Sequence, residues 1–354
     1  MAEFSIILGG GLLKAALITG KGSVELREVP TPTVGPGELL VRMRTCGICG
    51  TDLEKVHGDH ITPPILGHEV TGVVVEIGNE VNDFRAGDRV ALHHHISCRH
   101  CYFCKNGFET LCEDYPKSNL DPCGFAELFR VPESLVSGGT VYRLPDSVTF
   151  EEGSQIEPFA CCIRALNKIG IKSGSTAAIY GTGPVGLSHL QLLKCFGATR
   201  VYAIDVIKKR REWALKLGAD LVFDPLTDDA AKTISLLTGG LGVDLAIVAT
   251  ANLAALKSAF DTVRKGGTVL LFGAPTRGSA LTLDMSTMFL REVRFQSSYS
   301  TSETEMRIAL ELITNKRIIP AETITHRLPL SRTVEALGLA DRGTEAIKVI
   351  VENE

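Results

Sequence analysis

The sequence predicts an α/β chain of two domains: a β-rich domain, and a doubly wound parallel sheet with helices on both faces. Three observations carry this expectation. The length, 354 residues, exceeds what one ordinary hydrophobic core supports. Residues 1–150 are rich in Gly, Pro and short β-like runs, the pattern of strands joined by long loops. From Ser175 onward strand and helix patterns alternate, as they do where a parallel sheet is covered on both sides.

A first strand begins near Lys14. Residues 24–29, 38–43 and 70–77 and the segment Arg89–Leu92 follow as strands, separated by turn signals such as Pro36-Gly37-Glu38 and Ala86-Gly87-Asp88. In the second half, strands are expected at Thr176–Tyr180, Arg200–Ile204, Leu221–Phe223, 244–249 and 268–272, with helices over 185–196, 208–217, 229–237 and 253–265. Another helix over 303–315 leads to a final apolar strand over 347–351, which is expected to return to the first domain. The domains are therefore placed at 1–158 with 298–354, and at 159–297. Residues 1–13 read as an extension. No internal repeat or low-complexity segment is present.

Composition narrows the function classes. With 44% hydrophobic and 22% charged residues and a net charge of -4, the chain reads as a soluble globular protein without the basic excess that nucleic-acid binding needs. Glu3 stands where a secretion signal would be basic, and Lys14 interrupts the apolar stretch, which argues against a signal peptide. No run of 18 apolar residues occurs, so a membrane span is not expected. Ten cysteines without a secretion signal point to metal binding rather than disulfides, and to the cytoplasm.

The cofactor signal is Gly181-Thr182-Gly183-Pro184-Val185-Gly186, which follows a strand and opens a helix. Its first glycine permits a tight turn, its second lets the backbone approach a pyrophosphate, and its third allows close helix–sheet packing. The helix N-terminus supplies unpaired N–H groups. Asp205 closes the next strand, 19 residues beyond Gly186, where a carboxylate bonds a ribose 2′-hydroxyl and disfavours a 2′-phosphate. This selects NAD over NADP. The basic run Lys208, Lys209, Arg210 and Arg211 reads as a solvated helix face, with Arg210 a candidate to stack on the adenine side.

Cys98, Cys101, Cys104 and Cys112 form the most specific pattern. Two-residue gaps turn successive thiolates inward, and a fourth closes a tetrahedron about 2.3 Å from a metal. An all-thiolate site leaves no open position, so it is structural; zinc suits it, and an iron–sulfur cluster is the competing occupant. Alternation along a strand keeps His93, His94 and His95 from converging on one ion. That run reads as a strand end with one histidine near an active site.

Taken with Cys46-Gly47-Ile48-Cys49-Gly50-Thr51-Asp52, Gly67-His68-Glu69 and Gly87-Asp88-Arg89-Val90, these motifs stand in the order found in zinc-containing medium-chain dehydrogenases/reductases. The chain resembles that family from Lys14 to Glu354. The resemblance implies a GroES-like catalytic domain beside a Rossmann domain, and two zinc ions. Cys49, His68 and Glu69 are the implied catalytic zinc ligands, with Glu69 binding or backing the metal; Cys46 matches a non-ligating cysteine. Glu157 stands where the family's simple alcohol dehydrogenases carry a third ligand, a cysteine. It resembles the sorbitol, iditol and threonine dehydrogenase branch, where this glutamate sits at the zinc or at its bound water. Cys161 and Cys162 read as core thiols.

Thr51 resembles the family's first proton-relay group. Glu54 replaces the histidine that ends the relay and reads as solvated surface. The implied reaction is oxidation of a secondary hydroxyl of a polyol or sugar alcohol to a ketone, with hydride transfer to NAD; residues 266–273 and 325–330 resemble the same branch. L-Threonine 3-dehydrogenase, a glucose-type sugar dehydrogenase and a general secondary alcohol dehydrogenase are the alternatives. A non-catalytic protein that keeps both zinc and NAD is an alternative of another class. A homotetramer is implied, with a dimer as the smaller alternative.

Overall fold

A computed structural model describes residues 11–58 and 65–353. The chain forms two compact units: Met1–Glu157 with Ile324–Arg342 and Lys348–Glu354, and Pro158–Thr323 with Gly343–Ile347.

The first unit is β-rich. Leu12–Gly20 and Ser23–Pro30 pair as an antiparallel hairpin. A second sheet runs in the order Ile324–Pro329, Lys348–Glu352, Leu39–Gly47, Glu69–Ile77, Arg89–Leu92, Val141–Arg143, and Leu128–Val131 also pairs with Leu39–Gly47. Burial of Leu39, Val41, Met43, Val74, Val90 and Phe129 makes this sheet the core of the unit. Lys348–Glu352 lies antiparallel to Leu39–Gly47, with Ile350 opposite Gly47, so the chain's last strand does return to the first domain. Residues 1–10 of the expected extension lie outside the described residues. Leu12 and Leu13 do not belong to an extension, because they open a strand and Leu13 is buried.

The second unit is a six-stranded parallel sheet in the order Leu221–Phe223, Arg200–Ile204, Thr176–Tyr180, Val243–Val248, Val263–Leu271, Arg294–Ser297. Two sequential halves diverge from the central strand Thr176–Tyr180, the doubly wound arrangement the sequence predicts. Near-continuous burial along Thr176–Tyr180 and Arg200–Ile204 reflects cover on both faces.

The structure differs from the sequence expectation at three places. The helix expected over 253–265 ends at Thr262, and Val263–Leu271 is a strand; Val263 prefers the extended chain, and Gly266 at φ +67° turns as no helical residue does. Met285–Arg291 and Arg294–Ser297, a helix and a strand, were not anticipated. Residues 298–323 stand in the second unit instead of the first. There Glu305 lies 3.5 Å from Arg164 in a buried ion pair, and the Ile319 amide donates to Gln191 Oε1 at 2.7 Å. An amphipathic period identifies a helix but not the sheet it covers. No helix among the described residues is long and apolar enough to cross a membrane.

Candidate active site

The catalytic-type donors meet because of sheet register. Leu39–Gly47 and Glu69–Ile77 pair with Gly47 opposite Glu69 and Cys46 opposite Val70. This brings Cys49, two residues beyond one strand, beside His68 and Glu69 at the start of the other. The donor atoms of Cys49, His68 and Glu69 lie within 4.8 Å of one another. Gly67 makes the turn into the second strand at φ +75°, where a Cβ would stand 2.8 Å from the Phe125 nitrogen.

Asp52 ties this group together. Fully buried, it accepts the Cys49 amide at 2.9 Å and the Gly67 amide at 2.9 Å. Its Oδ1 stands 3.5 Å from His68 Nδ1, which leaves Nε2 as the ring nitrogen for a metal. Burial opposes charge on both side chains, but their mutual attraction prevails: Asp52 is held below the usual carboxylate range and His68 well above the usual imidazole range. Thr51 Oγ1 lies 3.7 Å from Cys49 Sγ.

Glu69 is ion-paired with Lys348, and both side chains are buried. The Lys348 ammonium also donates to the Ile48 carbonyl at 3.0 Å. Burial lowers its affinity for a proton, yet the Glu69 and Cys49 charges hold it above the usual lysine value. Glu157 stands outside the three-donor group. It is buried in the first turn of the helix Ile156–Ile169, and its charge is felt at Lys348. Cys162 is buried on that helix, and its thiol donates to the Val185 carbonyl at 3.8 Å. Glu54 is half-buried and partnered, not a solvated surface residue.

His93, His94 and His95 lie past the end of the strand Arg89–Leu92, so alternation does not separate them. Their rings pack together, 3.8 Å between His94 and His95 and 5.3 Å between His93 and His94. The His94 ring is 4.8 Å from that of His68.

The four-cysteine lobe closes as its spacing predicts. Sγ separations are 3.5 Å for Cys101–Cys104 and 3.9 Å for Cys98–Cys104. A tetrahedron of zinc–sulfur bonds about 2.3 Å long has edges of about 3.8 Å. Amides point at the sulfurs, Cys101 N to Cys98 Sγ at 3.3 Å and Cys98 N to Cys112 Sγ at 3.4 Å, as suits thiolates. All ten cysteines are free of disulfides. Both donor sets fit zinc: four thiols in one, and a thiol, an imidazole and a carboxylate in the other.

In the second unit two glycines of the loop stand where a side chain would not fit. Gly181 adopts φ +90°, and a Cβ on Gly186 would meet the Gly181 carbonyl at 2.0 Å. Gly183 stands at the N-cap of the helix Pro184–Cys195 and makes no side-chain cap hydrogen bond; the start of a helix is where backbone N–H groups can meet an anion. Asp205 is buried; its Oδ2 accepts from the Thr182 amide at 2.7 Å and its Oδ1 from the Ile207 amide at 2.8 Å. Arg210 does not lie on a fully solvated face. Its guanidinium stands 3.8 Å from Asp205, donates to the Gly343 carbonyl at 2.8 Å, and lies 3.6 Å from where a Gly183 Cβ would be.

Comparison with known proteins agrees with both halves. Residues 35–146 match the model of the alcohol dehydrogenase GroES-like domain, and residues 184–315 that of the zinc-binding dehydrogenase. Sorbitol dehydrogenase of Bombyx mori is 33% identical over 95% of this chain and 97% of its own length. That of Bacillus subtilis is 30% identical over 96% and 97%. The chain belongs to the zinc-containing medium-chain dehydrogenase/reductase family. Within it the chain is sorbitol dehydrogenase-like. An alcohol dehydrogenase of Geobacillus stearothermophilus is 37% identical over 74% of this chain and 78% of its own length. Among solved structures, a zinc-binding dehydrogenase of Sinorhizobium meliloti bound to NADP is 31% identical, with a TM-score of 0.87 over 97% of this chain and all of the other.

Three features of this dehydrogenase escaped the sequence. Asp52 ends the motif that runs from Cys46, but the motif gives no sign that it braces two loops. Lys348 is one of many lysines in the sequence, and only strand pairing brings it to Glu69. The packing of the histidine run needed the strand to end at Leu92.

Proposed function

We propose that the protein oxidises a secondary hydroxyl of a polyol or sugar alcohol to a ketone, with hydride transfer to NAD. The observation that carries this is the Cys49, His68 and Glu69 group, in a chain so similar throughout to sorbitol dehydrogenases. Cys49, His68 and Glu69 would hold a catalytic zinc, with Glu157 at the metal or its water, and Cys98, Cys101, Cys104 and Cys112 a structural one. Bound zinc supplies Lewis-acid polarisation of the hydroxyl oxygen, and bound NAD accepts the hydride. Thr51 Oγ passes the hydroxyl proton outward, Asp52 fixes the His68 ring, and Lys348 restrains Glu69. Gly181, Thr182, Gly183, Pro184, Val185 and Gly186 cradle the pyrophosphate, and Asp205 takes the ribose.

One observation favours a second cofactor. Arg210 stands beside Asp205 and Gly183, where a guanidinium would pair with the 2′-phosphate of NADP. Initial rates with NAD and NADP across a panel of polyols, sugars, amino-alcohols and simple alcohols decide both questions. We expect NAD and polyols to give the highest kcat/KM, and Cys49→Ser to abolish turnover while NAD still binds. Fast turnover by Cys49→Ser, or no turnover of any compound by the parent, would sink the assignment.

The same proposal includes a homo-oligomer, tetramer or dimer, in the cytoplasm. The strand Arg294–Ser297 is an outer strand of its sheet, and beside it Phe289 and Leu290 are 81% and 72% exposed over an apolar groove. An apolar sheet edge of this kind is suited to covering by a second copy about a two-fold axis. Light scattering reads the state; a monomer at micromolar concentration refutes it.

A further inference from the structure

Resting on the dehydrogenase reading, we propose that His94 and His95 form a hydroxyl-recognition subsite beside Cys49, His68 and Glu69. The subsite selects substrates with a second hydroxyl next to the one oxidised.

The three histidines differ in their hydrogen-bond partners. His93 is occupied in the fold, its Nε2 2.8 Å from the Tyr115 hydroxyl. His95 Nδ1 lies 2.9 Å from the Ser118 carbonyl. A carbonyl only accepts, so His95 carries its proton on Nδ1 and leaves Nε2 as a bare acceptor. His94 has no hydrogen-bond partner among the described residues, and its Nδ1 is buried without one. Its ring packs at a tilt against two others, 3.8 Å from the His95 ring at 41° and 4.8 Å from the His68 ring at 38°.

A buried polar ring without a partner costs stability that an apolar ring of the same size would not. Packing alone is better served by phenylalanine. The position touches the His68 ring, so a substrate hydroxyl reacting at that group places its neighbouring hydroxyl within reach of these rings. An imidazole carrying one ring proton offers one donor and one acceptor, which matches a hydroxyl. A substrate with one isolated hydroxyl leaves those atoms unmatched, and sites built around hydrogen bonds discriminate strongly against such analogues.

The test uses the zinc-loaded full-length enzyme with NAD and two compounds of one carbon skeleton, 2,3-butanediol and 2-butanol. The parent should prefer the diol in kcat/KM. In His94→Phe the diol value should fall at least tenfold, mainly through KM, while 2-butanol stays within threefold. His94→Gln, which keeps a donor and an acceptor, should retain most of the preference, and His95→Phe should show a smaller loss of the same kind. A melting temperature that does not fall, and rises in His94→Phe, together with an unchanged NAD affinity, separates selectivity from misfolding. If His94→Phe fails to fold, His94→Gln and His95→Phe carry the comparison. A diol-to-butanol ratio that stays constant in an active enzyme overturns the subsite and leaves the dehydrogenase standing. A parent idle on both compounds and on the wider panel overturns both.

Discussion

Replacing Lys348 by methionine tests the least expected part of the site. Methionine keeps the length and apolar stem of lysine and removes the ammonium. Lys348 and Glu69 are each 2% exposed, so water cannot take the place of the lost charge. Two groups are stranded: the Glu69 carboxylate, and the Ile48 carbonyl that accepted at 3.0 Å. Breaking a buried ion pair by removing one partner costs about 3–5 kcal/mol. At about 2–4 °C per kcal/mol for a domain of this size, melting should fall by about 6–20 °C. Adding Glu69→Gln removes the stranded charge and should recover at least half of the loss, because the double variant no longer buries an unpaired ion. The assay is urea unfolding and calorimetry of parent, both single variants and the pair, each at matched zinc content. Chelated protein should lose more than zinc-loaded protein, since a bound cation beside Glu69 stands in for the ammonium. A loss under about 1 kcal/mol for Lys348→Met, or no recovery in the pair, would refute the coupling.

Other expectations follow from the same structure. Cys101→Ser should remove one of two zinc equivalents per chain and lower the melting temperature, while NAD binding is kept; elemental analysis with calorimetry reads this, and two zincs in the variant would refute the four-thiolate site. Gly186→Ala drives a Cβ to within 2.0 Å of the Gly181 carbonyl, so NAD affinity measured by calorimetry should fall by about 100-fold or more, roughly 2.7 kcal/mol; unchanged affinity would rule out the loop as the pyrophosphate cradle. Asp244 is pushed up by burial, but the Thr176 amide at 2.8 Å and Arg264 at 2.7 Å hold it below its ordinary 3.8. A depressed carboxyl contributes stability above its unfolded value and loses it as pH falls through the folded one. Asp244→Asn should therefore be less stable than the parent at pH 7, with the gap closing below pH 3.8; a gap independent of pH points to packing instead.

What the sequence made legible was local. The Gly-rich loop and the four-cysteine lobe each complete their geometry within a few turns of chain, so spacing alone carries them: Gly181 turns and Gly186 packs where a Cβ would not fit, and Cys98, Cys101, Cys104 and Cys112 gather. The alternating second half was legible because buried parallel strands leave long apolar runs. Failures came where a residue's meaning depends on a distant strand. Segment 298–323 shows a helical period whether it covers one sheet or the other, and the ion pair of Glu305 with Arg164 decides which. His93, His94 and His95 were separated by an alternation that stops at Leu92. Lys348 illustrates the limit most sharply. It opens a strand whose pairing with residues 45–47 sets Ile350 opposite Gly47, and Gly47 in turn faces Glu69. Two registers, spanning some 300 positions of sequence, therefore place one ammonium on one carboxylate. A one-residue slip in either would turn Lys348 or Glu69 to the other face, so the three-donor group and its buried counter-ion are products of strand pairing, and loss of that pairing should cost stability and metal binding together.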